Sequence, residues 1–243
     1  MFKKIVDQLK PWTMEEWGVW LRWCFDTYDI PICEQSEDSF YLYVISQAIT
    51  LHGWGEPIFD PTLTEKVEYL TEKGFPSYVS IRPENLSVAR GIRLAEAGLG
   101  WLKLPVWPTF PRAKVEELVA AVKGSDMEVV LCQLNTGDVI DVGDLKDKTY
   151  YYIKDTDQQW YHKGRSSQQI MWNEPCKFPY YAMAIQWDGA IVTCNSLYDS
   201  QNLLGRIDLN SLNSVWLKAG EFKRTPKCLQ ECDYYKKKDF NTS

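Results

Sequence analysis

The chain is short of several things. No apolar run approaches the ~20 residues that cross a bilayer, so a membrane-spanning protein is not expected. Positive charge is not in excess: 27 Lys and Arg stand against 33 Asp and Glu, a net charge of -6. That balance argues against a general nucleic-acid binder, whose footprint is normally basic. Histidine is scarce, with only His52 and His162. No Ser-His-Asp arrangement and no P-loop is visible. Residues 1–10 are too polar for a secretory signal, so the expected setting is cytoplasmic. There, clustered cysteines bind metal or do redox work more often than they form disulfides. The cysteine count is seven, an odd number that also forbids complete pairing within the chain.

Aromatic residues are abundant, with 11 Trp and 14 Tyr, and hydrophobic content is 45%. This is the composition of a folded chain of 243 residues, long enough for one large domain or a medium domain plus a small one. Thr13 to Glu16 reads as a capping box ahead of a helix over 14–28. A strand is expected within 40–51, then a turn at Gly53-Trp54-Gly55-Glu56-Pro57. Asp60 and Pro61 open a helix that Gly74 stops. Strands are expected over 78–81, 101–106 and 128–134, with helices over 87–97 and 111–123 between them. Strand and helix thus alternate every ~25 residues, which implies a parallel sheet with covering helices. Beyond Asn135 the pattern changes. Residues 150–154 form one more candidate strand, and 155–167 read as loop. Segments 182–187 and 190–193 flank Asp188-Gly189, a hairpin signal, and 211–222 reads as a helix.

Four cysteines fall in the last 68 residues. Cys176 is followed after twelve residues by Gly189, and after four more by Cys194. Cys228 and Cys232 follow, three residues apart from each other. The hairpin brings the first two toward one end of adjacent strands, and the Cys228-to-Cys232 turn presents two thiolates together. Such a set suits zinc or an iron–sulfur cluster, and spacing alone does not separate the two. The plainer alternative is four unrelated buried thiols.

The stretch from Cys176 to Cys194 resembles the opening of the SPASM and twitch modules, the auxiliary iron–sulfur domains of radical SAM enzymes. Leu204-Gly205-Arg206-Ile207 and Ser211 to Trp216 are similar to the segment that precedes the family's last cysteines. With four cysteines rather than seven, the one-cluster twitch form is the better match. Gly53-Trp54-Gly55-Glu56-Pro57 resembles the Gly-Gly-Glu-Pro motif of radical SAM barrels, which contacts the amino group of the SAM methionine. The resemblance implies an α/β fold: a partial (β/α) radical SAM-like barrel over 1–170 and a small cysteine-ligated α+β module over 171–243. It implies Gly53, Gly55, Glu56 and Pro57 as cofactor-binding residues. It implies Cys176, Cys194, Cys228 and Cys232 as ligands of a 4Fe-4S cluster, with zinc as the alternative. S-adenosylmethionine is the second cofactor implied.

The chain departs from the family at one defining point. It contains no C-x3-C-x2-C trio, the cysteines that bind the SAM-cleaving cluster. Cys24 and Cys33 stand eight residues apart with no third partner. If 14–28 corresponds to the first barrel helix, the first strand and its cluster loop are missing. Ser80 to Pro83 and Pro105 to Trp107 also lack the polar residues that the family commonly offers the SAM ribose. The expectation is a degenerate or split radical SAM-type protein that does not cleave SAM alone. A partner polypeptide, or the segment 31–39, covers the open strand edge. An active radical enzyme modifying a peptide or small molecule, and a zinc-stapled binding protein, are the alternatives. No nucleic acid and no membrane is expected as a partner. Of the remaining candidates, His52 reads either as a ligand contact or, the favoured reading, as a hydrogen-bonded strand-end histidine. Cys132 reads as a core thiol, and Asp138, Asp141 and Asp144 as a solvated loop rather than a cation site.

Overall fold

The computed structural model describes residues 1–9, 49–52, 55–135, 140–155, 184–186, 188–192, 203–210, 212 and 214–215. The chain divides into two compact units, one formed by 11–164 and the other by 1–10 together with 165–243.

The first unit is an α/β structure, built as alternation predicts. Its elements are β1 (Ile49–Thr50), α1 (Leu63–Glu72), β2 (Ser77–Ser80), α2 (Val88–Glu96), β3 (Trp101–Val106), α3 (Arg112–Ala121), β4 (Glu128–Asn135) and β5 (Tyr150–Asp155). The five strands pair in chain order, and every pairing is parallel. Along each strand side chains alternate between faces. One face carries Val79, Leu102, Leu104, Val106, Val129 and Leu131, packed with Leu63 and Val67 of α1, Leu94 of α2 and Val115, Leu118 and Val119 of α3. Continuous burial of this kind is what a parallel sheet under helices requires.

Local chemistry sets the boundaries. Ser87 caps α2, its hydroxyl accepting the Arg90 N–H at 3.3 Å. α1 starts at Leu63, two residues later than the position of Pro61 implies. Asp60 accepts instead from the Thr62 N–H (2.8 Å) and hydroxyl (2.7 Å) and pairs with Lys66, which holds the chain in a turn before the helix begins. Burial alone would raise the Asp60 pKa, but the Lys66 ammonium and the two Thr62 donors together outweigh it and hold the carboxyl below its usual range. Gly74, Gly98 and Gly124 follow the three helices with positive φ, as helix ends favour.

The second unit contains a short N-terminal helix, Phe2–Val6, and an antiparallel sheet of β6 (Ala184–Ile185), β7 (Ala190–Val192) and β8 (Leu203–Arg206). The predicted hairpin is present at Asp188-Gly189. Gly189 has φ 84°, and Asp188 accepts the Ala190 N–H at 3.0 Å. Arg206 of β8 crosses to this turn, donating to the Asp188 carbonyl at 2.7 Å. Ile191, Ile207, Leu212 and Val215 form the core, with Ile5, Ile185 and Leu204 against it. Gln8 accepts the Leu212 N–H at 2.9 Å. The expected helix at 14–28, most of the strand at 40–51 and most of the helix at 211–222 lie outside the described residues.

Candidate functional site

The loops that leave the C-terminal ends of β1, β2 and β3 gather the polar groups of the first unit. Parallel α/β sheets take their ligands at this edge, because the strands end there and the connections open above them. Gly55 follows β1 with φ 129°, a backbone state that side chains with a Cβ rarely adopt. A Cβ added there meets nothing within 4 Å, so conformation rather than crowding calls for glycine. Glu56 then precedes a 3-10 turn, Pro57–Phe59. Pro57 fits its first position, and Ile58, 1% exposed, inserts into the core and anchors the loop.

That anchor leaves the Glu56 carboxylate facing the chain beyond β2. Its two oxygens accept the Arg82 N–H at 3.3 and 3.4 Å, and one accepts the Asn85 amide at 3.3 Å. The Arg82 guanidinium lies 5.9 Å from the centre of the Trp107 ring, after β3, within cation–π range. A carboxylate, a guanidinium and an indole therefore sit on three successive strand ends. Gly53 and Trp54 lie outside the described residues, so of the four cofactor-binding candidates only Gly55, Glu56 and Pro57 have a described position.

His52 has a definite structural task. β1 pairs with β2 as far as Leu51, whose N–H donates to the Tyr78 carbonyl at 2.9 Å. Where the next strand acceptor is due, the His52 ring takes over: its Nδ1 accepts the Ser80 N–H at 3.1 Å. The ring also meets Tyr78 edge-on, with centroids 5.0 Å apart. With Nδ1 used as an acceptor, the proton of the neutral ring is on Nε2. Burial, then the nearby Lys103 charge, push the His52 pKa down to about 4, with the Tyr78 carbonyl opposing. The imidazole is neutral at physiological pH and serves as a substitute strand carbonyl. This is the hydrogen-bonded strand-end histidine that was the favoured reading.

Two groups were not singled out by sequence reasoning. Lys103 lies in mid-β3, between Leu102 and Leu104 of the helix-packed face, and is 5% exposed. Burial lowers its pKa, and the Cys132 thiol partly offsets this. Gln133, 3% exposed, accepts a hydrogen bond from the Tyr151 hydroxyl. Burial, and then Cys132, push the Tyr151 pKa up. The signal for Lys103 was the strict alternation in Trp101-Leu-Lys-Leu104, which assigns the lysine to the opposite face from two core leucines. In a parallel sheet that face is often buried as well. Cys132 is a buried free thiol.

Asp141 does not act as an open cation ligand. It faces the Arg112 guanidinium at 3.5 Å, and Arg112 also binds Glu116 at 2.8 Å. Asp138 lies outside the described residues, as do Cys176, Cys194, Cys228 and Cys232. Among the described residues no cluster of three or more His, Cys, Asp or Glu is arranged to hold a metal. No described helix is long and apolar enough to cross a membrane.

No family model and no curated protein matches the chain. Four chains of solved structures do. One is a selenomethionine crystal structure of BtrN in an open conformation, 17% identical, with a TM-score of 0.46 over 80% of this chain and 69% of that one. Another is BtrN in complex with AdoMet and 2-DOIA, 16% identical, with a TM-score of 0.48 over 80% of this chain and 71% of that one.

Proposed function

We propose that the chain is a radical SAM-type protein with a partial barrel. In this reading the Gly55-Glu56-Pro57 turn takes the amino group of SAM, and Cys176, Cys194, Cys228 and Cys232 hold a 4Fe-4S auxiliary cluster. One observation carries the reading: Glu56 stands at the ligand-binding edge of a parallel sheet with its carboxylate already oriented by Arg82 and Asn85. An ionised carboxylate has about four acceptor sites. The protein donors at 3.3–3.4 Å leave capacity for an ammonium, which forms the stronger charge-assisted bond. The donor set also fits: four thiolates are the usual ligands of a 4Fe-4S cluster, which supplies electron transfer when bound.

The sequence contains no C-x3-C-x2-C, so the chain does not cleave SAM by itself. In this reading a partner polypeptide covers the open edge of the partial barrel. If that partner also brings the missing cluster, the assembly modifies a peptide or small molecule. A second reading rests on the same thiolates: tetrahedral zinc would make the module a folding staple and the protein a binding or structural one.

Equilibrium dialysis of anaerobically reconstituted protein against SAM tests the proposal. Saturable binding that Glu56→Gln weakens at least ~10-fold, equivalent to about 1.4 kcal/mol of lost interaction, supports it. Absence of saturable binding by the wild-type chain removes SAM from the account.

A further inference from the structure

The first ten residues of the chain belong to its second unit. Residues 1–10 form one compact unit with 165–243, although the whole sheet unit, 11–164, lies between them in sequence. Phe2, Ile5, Val6 and Leu9 recur at helical spacing, with Lys3, Lys4 and Asp7 between them. Ile5 packs on the core of Ile191, Ile207, Leu212 and Val215, and Val6 is 1% exposed. Met1 reaches the hairpin turn: a Cβ built on Gly189 would stand 3.0 Å from the Met1 Sδ and 2.9 Å from the Ile207 Cγ2. Gln8 ties the far end of the segment. Its side-chain amide donates to the Lys4 carbonyl at 3.0 Å, which leaves the amide oxygen to accept the Leu212 N–H at 2.9 Å.

We propose that residues 1–10 are a strap that locks the second unit, so that capture or cleavage of this segment loosens β7 and β8 and leaves the sheet unit intact. This goes beyond SAM and metal binding and stands whether or not either is bound. The first residues of a chain stay ordered only where something ties them down. Here the segment is tied near both ends, at Met1 and at Gln8, with Ile5 on the core between them. Ile5 packs on that core as Ile185 of β6 and Leu204 of β8 do, so the strap takes the place of an element from the unit's own stretch of sequence.

The strap has two states by construction. Its helix, Phe2–Val6, is five residues long, too short to persist in water once released. Docking and helix formation therefore come and go together. The sheet unit has its own core, to which no residue of the strap contributes, so it does not share in the release.

Hydrogen exchange on the full chain tests this. Ile5→Asp sets a charge against the apolar core and should release the strap. The amides of 190–192 and 203–206 should then exchange at least ~10-fold faster, because a buried, unpaired charge is strongly disfavoured. Those of 101–106 and 128–133 should stay within ~2-fold of wild type, as a separate cooperative unit does. Wild-type rates at 190–192 and 203–206 overturn the proposal, and so does equal acceleration in both units. Gln8→Met is the milder variant: it keeps the stem of an exposed residue and removes the acceptor. The Leu212 amide should exchange about 3–10-fold faster in it, the range for one lost hydrogen bond. An unchanged Leu212 amide overturns the docked strap. The readout is amide exchange alone, so failure of the SAM or cysteine readings leaves it standing.

Discussion

The two units differ in the apolar core that their described residues show. In the sheet unit, Leu63, Leu70, Ile81, Leu94, Leu99, Leu102, Leu104 and Leu131 are all essentially inaccessible, contributed by helices and strands along its whole length. In the other unit the buried apolar residues described are Val6, Ala190, Ile191, Val192, Ile207, Leu212 and Val215. The first unit thus carries an apolar core along its whole described length. The second, as far as it is described, is of the kind that disulfides or metals usually complete. It is also the unit in which Cys176, Cys194, Cys228 and Cys232 lie. The lesson is that a cofactor read from cysteine spacing should matter for stability in one unit and not in the other.

The largest effect expected follows from this. If the four cysteines hold a metal as proposed, removing it, or Cys228→Ser, withdraws binding energy of order 10 kcal/mol from the second unit. Hydrogen exchange should then show amides of 190–192 and 203–206 losing protection, while those of 101–106 and 128–133 keep theirs. Simultaneous loss in both units would break the contrast.

Next in size is a core truncation in the sheet unit. Leu104→Ala or Leu131→Ala removes a side chain with no solvent exposure and should cost about 2–5 kcal/mol in chemical denaturation, metal-bound or not. A cost below ~1 kcal/mol would show that this core is less tightly packed than its burial indicates.

Acid should also single out the sheet unit. The His52 pKa is about 4 in the folded state against 6.5 for the free side chain. Between these values the unfolded chain takes up a proton that the folded one does not. Stability contributed by the neutral ring is therefore complete above pH 6.5, falls as pH drops toward 4, and changes no further below that. The loss is on the order of 3 kcal/mol. His52→Asn, whose amide oxygen can still accept the Ser80 N–H, should flatten this part of the stability–pH curve. An unchanged slope in the variant would show that other groups carry it.

The smallest effect concerns the start of α2. Ser87→Ala should cost ~1 kcal/mol through loss of the cap to Arg90, seen as a small drop in the urea midpoint. No measurable change would show that solvent serves the Arg90 N–H equally well.

Much of the sheet unit was legible in the sequence, because each of its elements obeys a local rule. The strand over 101–106 and the start of the strand at 128 coincide with the apolar runs, and the helix at 88–96 follows its serine cap. The misses have physical causes. The helix at 63–72 starts late because the Asp60 side chain stabilises a turn that Pro61 also accepts. The strand Leu203–Arg206 has two leucines, a glycine and an arginine, without the alternation that marks a strand, and it forms because β7 offers an edge. The 3-10 helix Gly143–Asp147 is too short for a periodic signal. The turn that carries Glu56 was legible from its glycines. Lys103 was not, because a lysine within an apolar strand reads as a solvent-facing residue unless the second face of the sheet is also known to be buried. The role of His52 depends on where β1 stops pairing with β2, which is a property of register and not of local composition.

The central claim is that four C-terminal cysteines hold one inorganic centre that completes the second unit. Elemental analysis of anaerobically purified protein, wild type beside Cys228→Ser, tests it most directly. The account predicts iron and acid-labile sulfide in equal amounts in the wild type and their loss in the variant. Zinc in place of iron would remove the cluster and keep the staple. Metal-free protein whose 190–192 and 203–206 amides remain protected would contradict the claim.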